Sequence, residues 1–224
     1  MPKTRKPYKG PAMEGRIATW YAGNTRGDNR FKSTAETISA TLPAGSRILE
    51  VAPGPGYLAI ELARRGYRVT GLDISQTFVR IANENAAAEG VSAQFQVGNA
   101  AAMPFPDGSF DLVVCQAAFK NFTDPLVALN EAHRVLAPGG RAIINDLRSE
   151  ASHSEIGEEV ERMHLSRLSA FWTRQTFRWF LLKNAYSEPA MRELVSRSAF
   201  GAGEMRRDGI GFELTLLKPA LVTA

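Results

Sequence analysis

Between residues 48 and 57 the chain reads Ile48-Leu-Glu-Val-Ala-Pro-Gly-Pro-Gly-Tyr57, an apolar run that passes directly into glycine and proline. Gly54 and Gly56 let backbone approach a ligand closely, and a helix opening just after them offers N–H groups without intrahelical partners. Asp73, 17 residues after Gly56, is placed to hold ribose hydroxyls. Gly54-Pro-Gly-Tyr-Leu-Ala59 formally satisfies the dinucleotide fingerprint G-x-G-x-x-G/A, and a glycine pair after a strand is also an ordinary turn. Pro53 and Pro55 remove two donors from this loop but stiffen it. A second reactive group is Lys120, within Ala118-Phe-Lys-Asn-Phe122. A lysine there stabilises an anionic nucleophile such as a phenolate or carboxylate, or acts as a base once desolvated; the alternative is a solvated loop lysine. Asp146 and Arg148 follow the next apolar run and read as caps before they read as catalysts. Cys115, the one cysteine, ends an apolar run and reads as a buried structural residue.

These groups need a scaffold that brings strand ends together, and the pattern from residue 46 onward provides one. Arg47 to Ala52, Tyr67 to Leu72, Val91 to Val97, Phe110 to Cys115 and Arg141 to Asn145 read as strands. Helices are expected over Tyr57 to Arg65, over Gln76 to Glu89 behind an N-cap at Ser75, and from Asp124-Pro125 to Leu136. The last of these is expected to stop at Pro138-Gly139-Gly140. Strand–helix alternation of this kind makes a parallel sheet with right-handed crossovers and helices on both faces. Residues 150–187 read as mainly helical, Glu188 to Ser198 as another helix, and Met205-Arg-Arg-Asp with Gly211 to Leu217 as a closing hairpin.

The loop resembles the first motif of the class I S-adenosylmethionine-dependent methyltransferases, E/D-x-G-x-G-x-G, here Glu50-Val-Ala-Pro-Gly-Pro-Gly56. The likeness extends through Gly71-Leu-Asp-Ile-Ser75, Gly98-Asn-Ala100, Met103-Pro-Phe-Pro-Asp-Gly-Ser-Phe-Asp-Leu-Val-Val114 and Arg134-Val-Leu-Ala-Pro-Gly-Gly140. A nicotinamide enzyme has no reason to carry the last two segments, which are similar to those of the quinone, phenol and general metabolite branch. The resemblance implies a Rossmann-like, doubly wound α/β fold with seven strands, mostly parallel, an antiparallel C-terminal strand and a helical cap insertion. It implies residues 1–45 as a basic arm with helices, and 46–224 as the methyltransferase domain, with 150–187 as a substrate cap. It also assigns roles. Glu50, Ala52, Gly54 and Gly56 border the methionine moiety, Asp73 accepts from the ribose, and Ile74 lies on adenine. Asn99 and Ala100 sit at the adenine edge, and Gln116 approaches the amino acid end. Tyr21 either folds over the cofactor or packs on the sheet. His153, His164, Arg167, Trp172, Arg174 and Arg178 are candidates to line the cap. Two departures stand out. Ala52 replaces a glycine, which a strand end tolerates because no positive φ need arise there. Asn99 replaces an acid, so an amide must serve adenine.

Composition bounds the rest. With 44% hydrophobic and 22% charged residues the chain is an ordinary globular one. A lone cysteine and three histidines argue against a disulfide framework or a metal cluster. Residues 1–32 carry a net +6 and the remainder −2. The basic arm therefore raises nucleic acid as a runner-up partner, against the absence of an Asn-Pro-Pro-Tyr-like segment after the fourth strand, where Gln116-Ala-Ala-Phe119 stands. No apolar run reaches the roughly 18 residues of a membrane span, and Met1-Pro-Lys-Thr-Arg-Lys has no signal-peptide core. A cytoplasmic protein acting on a small molecule is expected, with the aromatic 165–182 segment available for a homodimer contact. A fold member that binds the cofactor without methyl transfer is the alternative of a different class.

Overall fold

The computed structural model describes residues 8–9, 13–162 and 182–220. Its elements, in chain order, are α1 (Gly15–Thr25), α2 (Asn29–Ser39), β1 (Arg47–Val51), α3 (Tyr57–Arg64), β2 (Arg68–Asp73), α4 (Gln76–Ala88), β3 (Ala93–Val97) and β4 (Phe110–Gln116). A 3-10 turn (Phe119–Asn121) follows, then α5 (Pro125–Val135), β5 (Leu136–Leu147), α6 (His153–Arg162), α7 (Glu188–Ser196), β6 (Glu204–Asp208) and β7 (Gly211–Leu217). The seven strands form one sheet in the order β3-β2-β1-β4-β5-β7-β6. Neighbours are parallel except β7, which runs antiparallel to both β5 and β6. Such a sheet has its topological switch point between β1 and β4, so their carboxyl ends frame the crevice where open α/β sheets hold ligands.

Period-2 alternation lets each central strand serve two cores. Ile48, Leu112, Val114 and Ile143 face α2, α3 and α4, where Ile38, Leu58, Leu62 and Ala82 are buried with them. Leu49, Val51, Val113, Cys115 and Ile144 face the opposite side, packed with Leu129 of α5 and Met191 and Val195 of α7. Ser75 caps α4 as its type predicts, its hydroxyl accepting from Phe78 N at 3.0 Å.

The structure corrects two local expectations. Asp124 precedes α5 with Pro125 at its start, but its side chain makes no capping bond. The helix stops at Val135, close to the expected Leu136, but Pro138-Gly139-Gly140 is not a break before the strand expected from Arg141; it lies inside a strand that begins at Leu136. Pairing of β5 with β4 shifts register between Phe110 and Leu112, and Gly140 there leaves a Cβ no room, 2.9 Å from Ala137 O and 3.0 Å from Asp111 O. Of the expected cap, α6 and residues 182–187 are described. His164, Arg167, Trp172, Arg174 and Arg178, like the 165–182 dimer segment except its last residue, lie outside the described residues. Among the described residues no helix is long and apolar enough to cross a membrane.

Candidate active site

The first residue past β1 is Ala52, and the first past β4 is Ala117. Both take the left-handed conformation, with φ of 56° and 55°. The expectation that Ala52 avoids positive φ is therefore wrong. The chain must leave the sheet sharply while Ala52 N still bonds to Leu72 O at 2.8 Å, and that geometry requires the turn whichever residue occupies it. Beyond it, Gly54 (φ +55°) faces open space, whereas a Cβ on Gly56 (φ +80°) would sit 2.7 Å from Phe95 and 2.9 Å from Ala82. Gly54 thus leaves a surface for a ligand, and Gly56 is demanded by packing between α4 and β3.

Two buried carboxylates flank this loop. Asp73, at the end of β2, accepts Gly54 N on one oxygen at 3.0 Å and Ser75 N on the other at 2.8 Å. Each oxygen keeps lone-pair capacity for a hydroxyl. Burial raises its pKa against those bonds. Glu50, on the face of β1 turned toward α3, is 3% exposed, and its Oε2 has no hydrogen-bond partner. Burial pushes its carboxyl up to about 8, against the Ala59 backbone N–H, and the neighbouring Asp73 adds to the rise. An orphaned buried acceptor beside a second carboxylate suits a ligand that brings positive charge and hydroxyls. It does not suit a diphosphate, which would also miss the N–H groups lost at Pro53 and Pro55. The residues present therefore fit S-adenosylmethionine better than a dinucleotide.

Around this centre, Ile74 is 40% exposed just past Asp73, presenting an apolar surface. Asn99 turns its Oδ1 onto Ala101 N at 2.9 Å, so its amide hydrogens are what it offers outward. Ala100 is partly buried against the sheet. Gln116 donates to Thr34 Oγ1 of α2 at 2.9 Å, tying the end of β4 to the N-terminal helices. Tyr21 sets its ring edge-on to Phe78 at 5.8 Å; it is packed on α4 next to Ser75. The N-terminal segment is fastened there as well. Glu14 accepts Gln76 N at 2.9 Å and Thr77 N at 3.1 Å, occupying the positive end of α4, and Ser75 Oγ donates to Met13 O at 2.6 Å.

On the other side of the crevice, Lys120 is not solvated. The 3-10 turn after β4 folds it under β5, where Nζ donates to Asp146 Oδ1 at 2.7 Å and to Ala117 O at 2.8 Å. Its backbone N–H bonds the other Asp146 oxygen at 2.8 Å. Their side chains are 6% and 1% exposed. The left-handed turn at Ala117 is what aims that carbonyl at the ammonium. Asp146 and Lys120 are thus one unit, with one ammonium hydrogen uncommitted in this bonding pattern. A lysine so paired is a donor and positive charge, not a free base. Arg148 bonds Glu155 and the Gly209 carbonyl, joining β5, α6 and the β6–β7 turn, as a structural tie. Cys115 is buried, which raises its thiol.

One residue beside the turn after β4 escaped the sequence reading. Tyr8, from the basic arm, makes an antiparallel bridge with Phe122, and its hydroxyl accepts Asn121 Nδ2 at 3.0 Å. Its pKa is pushed to about 12 by burial, with Asp73, Asp146 and Tyr21 contributing. Charge count marks this segment only as a basic arm; an aromatic among the lysines was the available signal.

Residues 49–144 match the Methyltransferase domain family model. The demethylmenaquinone methyltransferase of Thermus thermophilus is 45% identical over 119 residues, 52% of this chain and 54% of that protein. A ubiquinone/menaquinone biosynthesis C-methyltransferase of Roseobacter denitrificans is 38% identical over 105 residues, 45% of this chain and 42% of that protein. The chain thus spans about half the length of these relatives. A crystal structure from Methanococcus maripaludis, assigned as an S-adenosylmethionine-dependent methyltransferase, superposes with a TM-score of 0.76 at 21% identity, covering 100% of both chains. Residues 49–144 thus match a methyltransferase domain, on a chain whose fold is that of the S-adenosylmethionine-dependent methyltransferases.

Proposed function

We propose that this chain binds S-adenosylmethionine over the β1 end and methylates a small hydroxylated aromatic acceptor of the quinol class. The observation that carries the cofactor half is the pair of buried carboxylates, Glu50 with its unpartnered oxygen and Asp73, at a glycine loop poor in N–H donors. The acceptor class is supported by the relatives, whose names refer to demethylmenaquinone and to ubiquinone and menaquinone biosynthesis.

The cofactor would supply a methyl group already activated by a cationic sulfur. The chain's own work is positioning and charge. Asp73 holds ribose hydroxyls with the lone pairs that Gly54 and Ser75 leave open, and Ile74 gives the base an apolar surface. Glu50 ionises when a cation arrives and then opposes it at close range, in a water-poor setting where such attraction is strong. Across the crevice, the remaining Lys120 hydrogen holds an acceptor oxygen in its ionised, electron-rich form. Orientation of this kind is the main catalytic resource for a donor that needs no further activation.

Saturating ligand tests the assignment. At about 100 times its dissociation constant, a ligand adds roughly 2.7 kcal/mol, which moves the Tm of a domain this size by several degrees. S-adenosylmethionine and S-adenosylhomocysteine should produce that shift, and NAD should not. Asp73→Ala should weaken both by at least about 30-fold, the loss of charge-assisted bonds to hydroxyls. A shift with NAD alone, or unchanged affinity in Asp73→Ala, would overturn the reading. Methyl transfer from radiolabelled cofactor to 1,4-dihydroxynaphthalene then tests the acceptor class.

A further inference from the structure

The crevice has a donor that none of the motifs contains. We infer that the Tyr8 hydroxyl contacts the methyl acceptor, donating a hydrogen bond to its reacting or neighbouring oxygen. The inference rests on the methyl-transfer reading above and adds a specificity residue to it.

Tyr8 is seated by backbone and side chain together. Its bridge to Phe122 and the bond from Lys9 N to Asn121 O at 2.8 Å add the segment to the turn that follows β4. The Lys9 ammonium lies 5.8 Å from the Tyr186 ring centre, a cation–π contact that steadies the same stretch. The phenol is then oriented by an amide chain. Asn184 Nδ2 donates to Asn121 Oδ1 at 3.2 Å, which fixes the Asn121 amide so that its Nδ2 points at the Tyr8 oxygen. An oxygen that accepts from Asn121 directs its own hydrogen elsewhere.

Where it is directed follows from the neighbours. The Asn121 that holds the phenol follows directly on Lys120, whose ammonium meets Asp146 at the acceptor end. The Tyr8 hydroxyl is therefore seated on the turn that builds the acceptor end. Burial holds its proton in place, with Asp73 and Asp146 adding to the effect, so at neutral pH Tyr8 is a donor and not a base. An acceptor with an ionised hydroxyl is repelled by those carboxylates unless donors meet it. The crevice provides the uncommitted Lys120 hydrogen and the Tyr8 hydroxyl, one charged and one neutral. A phenolate or enolate oxygen is the chemistry that uses both.

Tyr8→Phe in the full chain keeps the ring and the bridge and removes the donor. Calorimetry would first measure S-adenosylhomocysteine binding to wild type and variant, then titrate 1,4-dihydroxynaphthalene, kept reduced, into each complex. S-adenosylhomocysteine affinity should stay within about twofold. Naphthalenediol affinity should fall about 5- to 30-fold, the range for a lost bond to a partly charged oxygen, and the loss should grow from pH 7 to pH 9 as the diol ionises. Equal weakening of both ligands would place the phenol on the cofactor and overturn the inference. No change in either would make it a packing residue, and failure of the diol to bind the wild-type complex would also sink it. Failure of wild type to bind S-adenosylhomocysteine would instead remove the methyl-transfer reading, and this inference with it.

Discussion

At the scale of single residues, Glu50 is where burial makes the stability of the fold depend on pH. Its folded pKa of about 8 lies above the ordinary value of 4.5, so between those limits the unfolded chain has already released the proton that the folded chain retains. Stability from this group is complete below about pH 4.5 and is lost as pH rises through 8. Without ligand, wild-type Tm should therefore fall by several degrees between pH 6 and pH 9, and Glu50→Gln, which keeps the shape and cannot ionise, should flatten that fall. A scan at pH 6, 7.5 and 9 decides it; parallel curves would mean that Glu50 carries no such penalty. Glu50 and Asp73 stand at the ends of β1 and β2, where their motif positions put them, because motif position fixes where a strand end lies. Sequence did not show that Lys120 and Asp146 are one unit. They are 26 residues apart, and their pairing depends on the 3-10 turn folding under β5.

At the scale of elements, the informative places are the exits from strands. The five parallel strands and the hairpin were legible from apolar runs bounded by glycine and proline, since buried parallel strands read as continuous hydrophobic stretches. What stayed hidden was backbone sign. Nothing in the residue type Ala52 announces a φ of 56°, and a helix-breaking Pro-Gly-Gly inside β5 reads locally as a stop. The left-handed conformation costs an L-residue about 1–2 kcal/mol, and a β-branched side chain more. Ala52→Val should therefore destabilise by about 2 kcal/mol or more. Ala52→Gly should be neutral or gain up to about 1 kcal/mol, the relief being offset by the freer unfolded chain. Urea titration of the two variants checks this, and a Val variant as stable as wild type would show that the exit relaxes.

For the whole molecule, the sheet ends in two edges, β3 and β6. Four of the five β6 residues are exposed, yet Arg206 pairs with Glu213 at 3.3 Å and Arg207 with Glu188 at 3.2 Å. Charges on an edge strand discourage pairing with another chain. Replacing both with valine, Arg206→Val with Arg207→Val, should produce concentration-dependent association visible by light scattering, while each pair's removal costs under about 1 kcal/mol. A variant that stays as dispersed as wild type would refute an edge-guarding role. The N-terminal segment has a further consequence, for the order in which the molecule comes together. Glu14 caps α4 across 62–63 residues, Thr34 meets Gln116 across 82, and Tyr8 meets Asn121 across 113. Contacts of such separation are slow to close, because the long loop's entropy must be overcome first. During synthesis the first residues emerge long before their partners exist. The beginning of the chain is thus among the last parts to find its place, and the crevice is completed only after the sheet behind it has formed.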